Sequence, residues 1–315
     1  TYYAERADIG LIITEGASPA PDGLGYARIP GLFSDEQLAA WKPVTEAVHA
    51  EGGKIFAQLM HTGRASNALN LPTGARVVGP MAVALPEPVY TDAKGLQPAT
   101  VPHALTEPEV REVVAEYAHS ATKAIEAGFD GIELHAANGY LIEQFLNGNH
   151  NHRTDGYGGS AAARNRFALD VAAAAVTAIG ADRVGIRLSP YGAFNDMGAF
   201  EGIDEQFVAL VKSLSDLGLV YLHLVDHSSM GSPNAPESLR AQLRAAFHGT
   251  FIASGGFDLA KAEATLASND ADLVAFGRSA LANPDLVSRL QHDSPMNAPD
   301  FATFYTPGEK GYTDY

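Results

Sequence analysis

The order of elements predicts a parallel α/β barrel of the TIM (β/α)8 type. Short apolar segments alternate with longer segments of helical spacing along all 315 residues. Such alternation means a parallel sheet with right-handed crossovers, and its simplest closed form is the barrel. No composition break marks a linker, so residues 1–315 read as a single domain. An open doubly wound sheet is the alternative architecture.

The elements follow in chain order. Thr1 to Ala7 reads as a helix, and Gly10 to Gly16 (GLIITEG) as a buried strand. After a loop rich in Gly and Pro, Ser34 and Gln37 form a capping box. The helix they open runs to about Glu51 and carries Pro43, which should kink it or reset its start. Lys54 to His61 is the next strand. A loop from Thr62 to Thr106 shows little periodicity, and loops this long are usually functional lids or small excursions. Thr106 and Glu109 form a second capping box, opening a helix to Glu126. Gly128 to Leu134 alternates apolar and polar residues as a strand does, and the run after Tyr140 has helical spacing. An Ala-rich helix spans Ala161 to Ile179, and a strand Arg183 to Ser189. Asp204 should cap a helix ending near Gly218. Tyr221 to Val225, Thr250 to Ser254 and Ala271 to Phe276 complete a set of seven strands. Their helices are Pro236 to Phe247, one capped by Asp258, and one opening at Asn283-Pro284. The tail from Phe301 to Tyr315 is irregular.

Composition narrows the function. The formal net charge is -16 and the pI is near 5.0, which argues against nucleic acid and anionic membranes as partners. There is no Cys, hence no disulfide, thiolate metal site or Cys nucleophile. No stretch is long and apolar enough to span a bilayer and no signal peptide is visible at Thr1, so a cytoplasmic location is the default expectation.

The chemistry is expected at strand ends. His135, Asn138 and Tyr140 fall where a strand hands over to a helix, the place parallel α/β proteins put catalysis. A His and an Asn can both donate to one oxygen while a Tyr hydroxyl delivers a proton nearby. Ser254-Gly255-Gly256 and Phe276-Gly277-Arg278 occupy the last two junctions, where barrels often hold a phosphate on backbone N–H groups and an Arg. The same glycines could serve tight turns alone. Gln58 and Arg187 lie within strands and need buried partners, either a ligand or a strand carboxylate such as Glu15 or Glu133. His150 and His152 sit in a Gly/Asn-rich loop with no Cys or acidic ligand at fitting spacing, so they read as surface residues and no metal site is assigned.

The run HAANGYLIEQFLN from His135, continued by HRTDGYGGS (152–160) and ARNRF (163–167), resembles the Old Yellow Enzyme family of flavin-dependent ene-reductases, nearest its N-ethylmaleimide and nitrate-ester reductase branch. The resemblance implies bound FMN, with its phosphate at Arg278 and the backbone of Gly255, Gly256 and Gly277. It implies Gln58 at the flavin's pyrimidine edge, Arg187 near the N1–C2 carbonyl side, and the backbone of Gly16 against the ring. His135 and Asn138 would bind the oxygen of an activated alkene, and Tyr140 would protonate its α-carbon. Tyr26 and Tyr305 match pocket-lining positions; Met60 stands where many relatives carry Trp, a change that should widen the pocket or shift its selectivity. NAD(P)H would reduce the flavin and leave before the alkene enters, in keeping with the lack of a GxGxxG fingerprint. Small-molecule alkenes and NAD(P)H are the implied partners, with a homo-oligomer left open.

In that family a first barrel strand precedes the opening helix. It is not evident here, and no spare strand follows at the C-terminus, which argues against circular permutation and leaves two sheet edges. Two other readings therefore stand beside the ene-reductase: a non-catalytic or partner-completed piece of such a barrel, and another phosphate-binding barrel enzyme such as a lyase or isomerase.

Overall fold

Seven parallel strands form the main sheet of the computed structural model, which describes residues 1–315. In chain order the elements are β1 (Ile12–Ala17), α1 (Asp35–Ala50), β2 (Ile55–Leu59), the short strands β3 (Val78–Gly79), β4 (Val89–Thr91), β5 (Gly95–Gln97) and β6 (His103–Ala104), then α2 (Glu107–Glu126), β7 (Gly131–Ala136), α3 (Leu141–Leu146), α4 (Ala161–Ile179), β8 (Val184–Leu188), α5 (Ile203–Asp216), β9 (Tyr221–Val225), α6 (Glu237–Ala246), β10 (Thr250–Ser254), α7 (Leu259–Ala267), β11 (Leu273–Ala275), α8 (Arg278–Ala282) and α9 (Leu286–Gln291). The spatial order is β1-β2-β7-β8-β9-β10-β11, each strand beside its predecessor. A doubly wound sheet would reverse direction at a switch point; this one does not.

The sheet is curled. Glu133 on β7 accepts a 2.8 Å hydrogen bond from His223 on β9, reaching past β8 on the concave face. The two edge strands, β1 and β11, are not paired with each other. Arg6 ties the two ends of the sheet together: its Nε donates to the Ala280 carbonyl at 2.9 Å and its Nη2 to that of Leu281 at 2.7 Å. Its guanidinium also stacks on the Tyr2 ring at 3.9 Å. On the convex face the helices bury apolar stripes, as α4 does with Phe167, Ala168, Val171, Ala172 and Ala175.

Both capping boxes form with both of their hydrogen bonds. Four local expectations change. Thr1 to Ala7 contains only a single 3-10 turn, Ala4–Arg6: the Arg6 N–H donates to the Tyr3 carbonyl, and the Tyr2 carbonyl accepts the Arg6 side chain instead. The helix α1 runs through Pro43, which lies on its exposed face where water can satisfy the freed carbonyl. Gly202, at φ 75°, takes the N-cap of α5; Asp204 sits in the first turn and accepts from the Tyr191 hydroxyl at 2.9 Å. The expected helix at Asn283-Pro284 is two short helices, α8 before it and α9 after it, with Asn283 Nδ2 donating to the Ser279 carbonyl between them. The long 62–106 segment is an excursion holding a parallel pair, β3 and β6, and an antiparallel hairpin, β4 and β5.

Candidate active site

Parallel register sets Gln58 level with Glu133 and, two residues nearer the C-terminal mouth, His135 level with Arg187 and His223. Gln58 Nε2 donates to Glu133 Oε1 at 2.7 Å, and His223 Nδ1 meets Glu133 Oε2 at 2.8 Å. Burial alone would raise the pKa of Glu133, but contact with His223 and the Arg187 charge outweigh it and hold the carboxyl below its usual range. Burial pushes His223 the other way for a base, downward, so a neutral imidazole donates from Nδ1 to an ionised Glu133. Two polar atoms of this layer, Arg187 Nε and His223 Nε2, are buried without a partner. Gln58 thus has the carboxylate partner considered from the sequence, while its amide oxygen makes no bond to the strand carboxylates.

The turn after β7 carries the proposed chemistry. The Ala137 N–H donates to His135 Nδ1 at 3.3 Å, which leaves Nε2 as the proton-bearing nitrogen of a neutral ring. Burial, and then the nearby Arg187 charge, keep the His135 pKa well below its ordinary value, so the ring is neutral at pH 7. Asn138 adopts φ 59°, a left-handed conformation that Asn tolerates better than most residues. Its side-chain oxygen is buried and has no partner. Tyr140 is the N-cap of α3; its ring lies edge-on to His135 with centroids 4.8 Å apart and edge-on to Tyr26 at 6.0 Å. Burial raises the Tyr140 pKa well above 10.0, with Tyr26 adding in the same direction.

The remaining sequence candidates surround this turn. Met60 is buried and packs over Gly16, where an added Cβ would lie 2.6 Å from the Met60 sulfur. Tyr26 Oη lies 3.5 Å from Asn195 Oδ1. Tyr305 belongs to the tail, is 87% exposed, and its carbonyl accepts from Arg28 Nη2 at 3.0 Å. His150 Nε2 is bonded to the Asp196 carbonyl.

Gly255 and Gly256 follow β10 with φ 138° and 60°. A Cβ on Gly255 would come 2.3 Å from the Asp226 carbonyl oxygen, and one on Gly256 would come 2.7 Å from Ser229 Cβ. Ser229 also lies 3.5 Å from Arg278 Nη2, so the two last junction loops converge on one small region. Lys261 adds a cation there, its Nζ donating to the Gly255 carbonyl at 2.7 Å. Gly277 is exposed, with open space where a Cβ would stand.

Three residues of the site were not singled out from the sequence. Glu143 accepts from the Gly139 N–H and Ser189 hydroxyl, and Asn195 Nδ2 donates to the Asn138 carbonyl at 2.7 Å. Only Glu143 left a trace in the sequence, as a carboxylate on the otherwise apolar side of a short helix. A shallow, open depression lies at the opposite, N-terminal end of the strands, lined by Asp182, Leu219, His248 and Asp272 among others, and none of the candidate residues reaches it.

Comparison with known proteins identifies the fold and the family. The family model described as NADH:flavin oxidoreductase / NADH oxidase family matches residues 1–297. The chain is 40% identical over 319 residues to a probable flavin mononucleotide-dependent alkene reductase of Leishmania infantum, with 100% of this chain and 86% of the relative covered. The solved structure of morphinone reductase matches with a TM-score of 0.95 at 42% identity, covering 100% of this chain and 85% of that one. The same enzyme has been solved in complex with tetrahydroNAD. The Old Yellow Enzyme homologue of Zymomonas mobilis matches with a TM-score of 0.95 at 37% identity, covering 100% of this chain and 88% of that one. The chain belongs to the NADH:flavin oxidoreductase / NADH oxidase family, of which Old Yellow Enzyme is a member.

Proposed function

We propose that this chain is an FMN-dependent ene-reductase in which His135 and Asn138 bind the oxygen of an activated alkene and Tyr140 protonates its α-carbon. The substrates are electron-poor alkenes: α,β-unsaturated carbonyls, nitroalkenes and maleimides. The observation that carries the reading is the fixed tautomer of His135, a buried neutral imidazole with its proton on Nε2, beside a phenol held in its protonated form.

The residues fit the cofactor. Arg187 Nε is a buried donor without a protein partner, and Gln58 has an amide oxygen to offer, as the edge of a flavin ring requires. Gly255 and Gly256 admit no side chain, and with Arg278 they supply N–H groups and a cation suited to a phosphate. When bound, FMN supplies hydride to the β-carbon of the alkene. His135 and Asn138 donate to the alkene's oxygen and stabilise the charge that develops there; because they are already in place, little reorganisation is needed. Tyr140 delivers the proton from the other side of the same turn. NAD(P)H enters first and departs as the oxidised nucleotide, so one pocket serves both half-reactions. No helix is long and apolar enough to cross a membrane.

The test is spectroscopic. Purified protein should carry flavin absorbance in the visible, bleach on NAD(P)H addition under argon, and regain colour when an enone is added. A colourless protein, or a bleached one that enones leave unchanged, would refute the reading.

A further inference from the structure

The peptide groups that shape the Asn138 turn are paired on every side by residues with no assigned part in the reaction. The Asn138 N–H donates to Ser189 Oγ at 2.9 Å, and that hydroxyl meets Glu143 Oε1 at 2.9 Å. The other carboxyl oxygen of Glu143 accepts the Gly139 N–H at 2.6 Å. The Gly139 carbonyl accepts from Gln144 Nε2 at 2.8 Å. Asn138 and Gly139 are consecutive left-handed residues, φ 59° and 72°, a conformation open to both but only one of several they can take, so its partners decide whether it is held. Glu143 is 4% exposed and Ser189 1%, so neither is placed there for solvation. A carboxyl group buried among Leu141, Ile142 and Phe145 is costly to keep unless it does something an apolar side chain cannot.

We infer that Glu143 and Ser189 are positioning residues for the reaction: together they hold the Asn138 turn in the left-handed conformation that turns its side chain to the substrate oxygen. The inference rests on the proposed role of Asn138 in binding that oxygen. Burial raises the Glu143 pKa to about 8, and the clasp tolerates either charge state. The Ser189 hydroxyl can donate to a carboxylate or accept from a carboxylic acid, and the Gly139 N–H is accepted in both. A Gln at this position can do the same, with its oxygen to Gly139 and its amide N–H to Ser189. A Leu can do neither.

The experiment is a double-mutant cycle on the holoprotein, titrated with phenol, whose oxyanion mimics the enolate, and read from the change in flavin absorbance. Glu143→Leu and Ser189→Ala should each weaken phenol binding by on the order of tenfold, the scale set by small displacements of a binding group. Glu143→Gln should bind within about twofold of wild type, since its hydrogen bonds are rebuilt. In an Asn138→Ala background, Glu143→Leu and Ser189→Ala should change phenol affinity no further, because they act through the residue already removed. FMN content is measured on each variant; should Glu143→Leu fail to fold, Ser189→Ala runs the same cycle. Equal losses with and without Asn138, or Glu143→Gln as weak as Glu143→Leu, would overturn the inference and leave the proposed function standing. An Asn138→Ala variant that binds phenol like wild type would overturn both.

Discussion

Glu133 offers the sharpest test of the inner polar layer. The carboxylate accepts from Gln58 and His223 and is the negative charge balancing the half-buried Arg187, so its removal leaves two buried donors and one cation unanswered. Breaking a buried charge network from one side costs about 3–5 kcal/mol. Glu133→Leu should therefore destabilise the flavin-free protein by that amount. At roughly 2.1 cal/mol/K per residue, unfolding 315 residues carries about 0.66 kcal/mol/K, so the melting temperature should drop by roughly 5–8 °C. Glu133→Gln behaves differently. Its oxygen can accept from Gln58, and its amide can donate to His223 Nδ1 once the imidazole switches tautomer, so only the charge opposite Arg187 is lost. That substitution should cost about 1–2 kcal/mol. Urea unfolding of both variants measures the difference. Equal costs, or a Leu variant within about 1 kcal/mol of wild type, would show that the layer is not a hydrogen-bonded charge network at all.

Four further outcomes follow from the geometry. Tyr140→Phe should slow enone turnover by about 10²–10⁴ while flavin reduction by NAD(P)H stays near wild type; a parallel fall of both half-reactions in stopped-flow traces would remove Tyr140 as proton donor. Gly139→Ala places a Cβ 2.6 Å from Asn195 Cβ and 2.7 Å from the Phe194 carbonyl at φ 72°, so beyond the roughly 1–2 kcal/mol of left-handed backbone it should lower the melting point further by pushing the two loops apart. Acid should weaken the fold: burial lowers His61 from 6.5 to about 3, so between those values the unfolded chain takes up a proton that the native state refuses, and stability falls as pH falls. His135 and His227 act in the same sense, while the raised Glu143 opposes them between 4.5 and about 8; urea unfolding at pH 5 should still give the lower stability, and a higher one would refute the account. Arg6→Ala should abolish hydrogen-exchange protection in α8 before any other helix loses it.

What the sequence could disclose depended on how local each determinant is. The capping pairs Ser34–Gln37 and Thr106–Glu109 span three residues and form as read, and the helix at Ala161–Ile179 has the bounds its spacing predicts. The turn holding His135, Asn138 and Tyr140 was legible because one contiguous run carries all three. Its support was not: Ser189 is 46 residues from Glu143, and Asn195 is 57 from Asn138. Each looks like an ordinary loop or helix polar residue until the strands bring the junctions together. The short strands inside 62–106 were invisible for a similar reason, since two- and three-residue segments carry no periodicity. Asp204 shows the opposite failure: a good capping residue in sequence, displaced two positions by a glycine whose positive φ starts the helix earlier.

The Arg6 tie has a consequence for how the chain matures. The Ala280 and Leu281 carbonyls lie 274 and 275 residues downstream, so until they are made the guanidinium can hold only near neighbours such as Tyr2, whose carbonyl accepts at 2.7 Å. The junctions at Gly255–Gly256 and Gly277–Arg278 are also made well after the early strands. A nascent chain can thus order its early strands and helices long before these junctions exist, and under the proposed phosphate role flavin capture waits for them to be made.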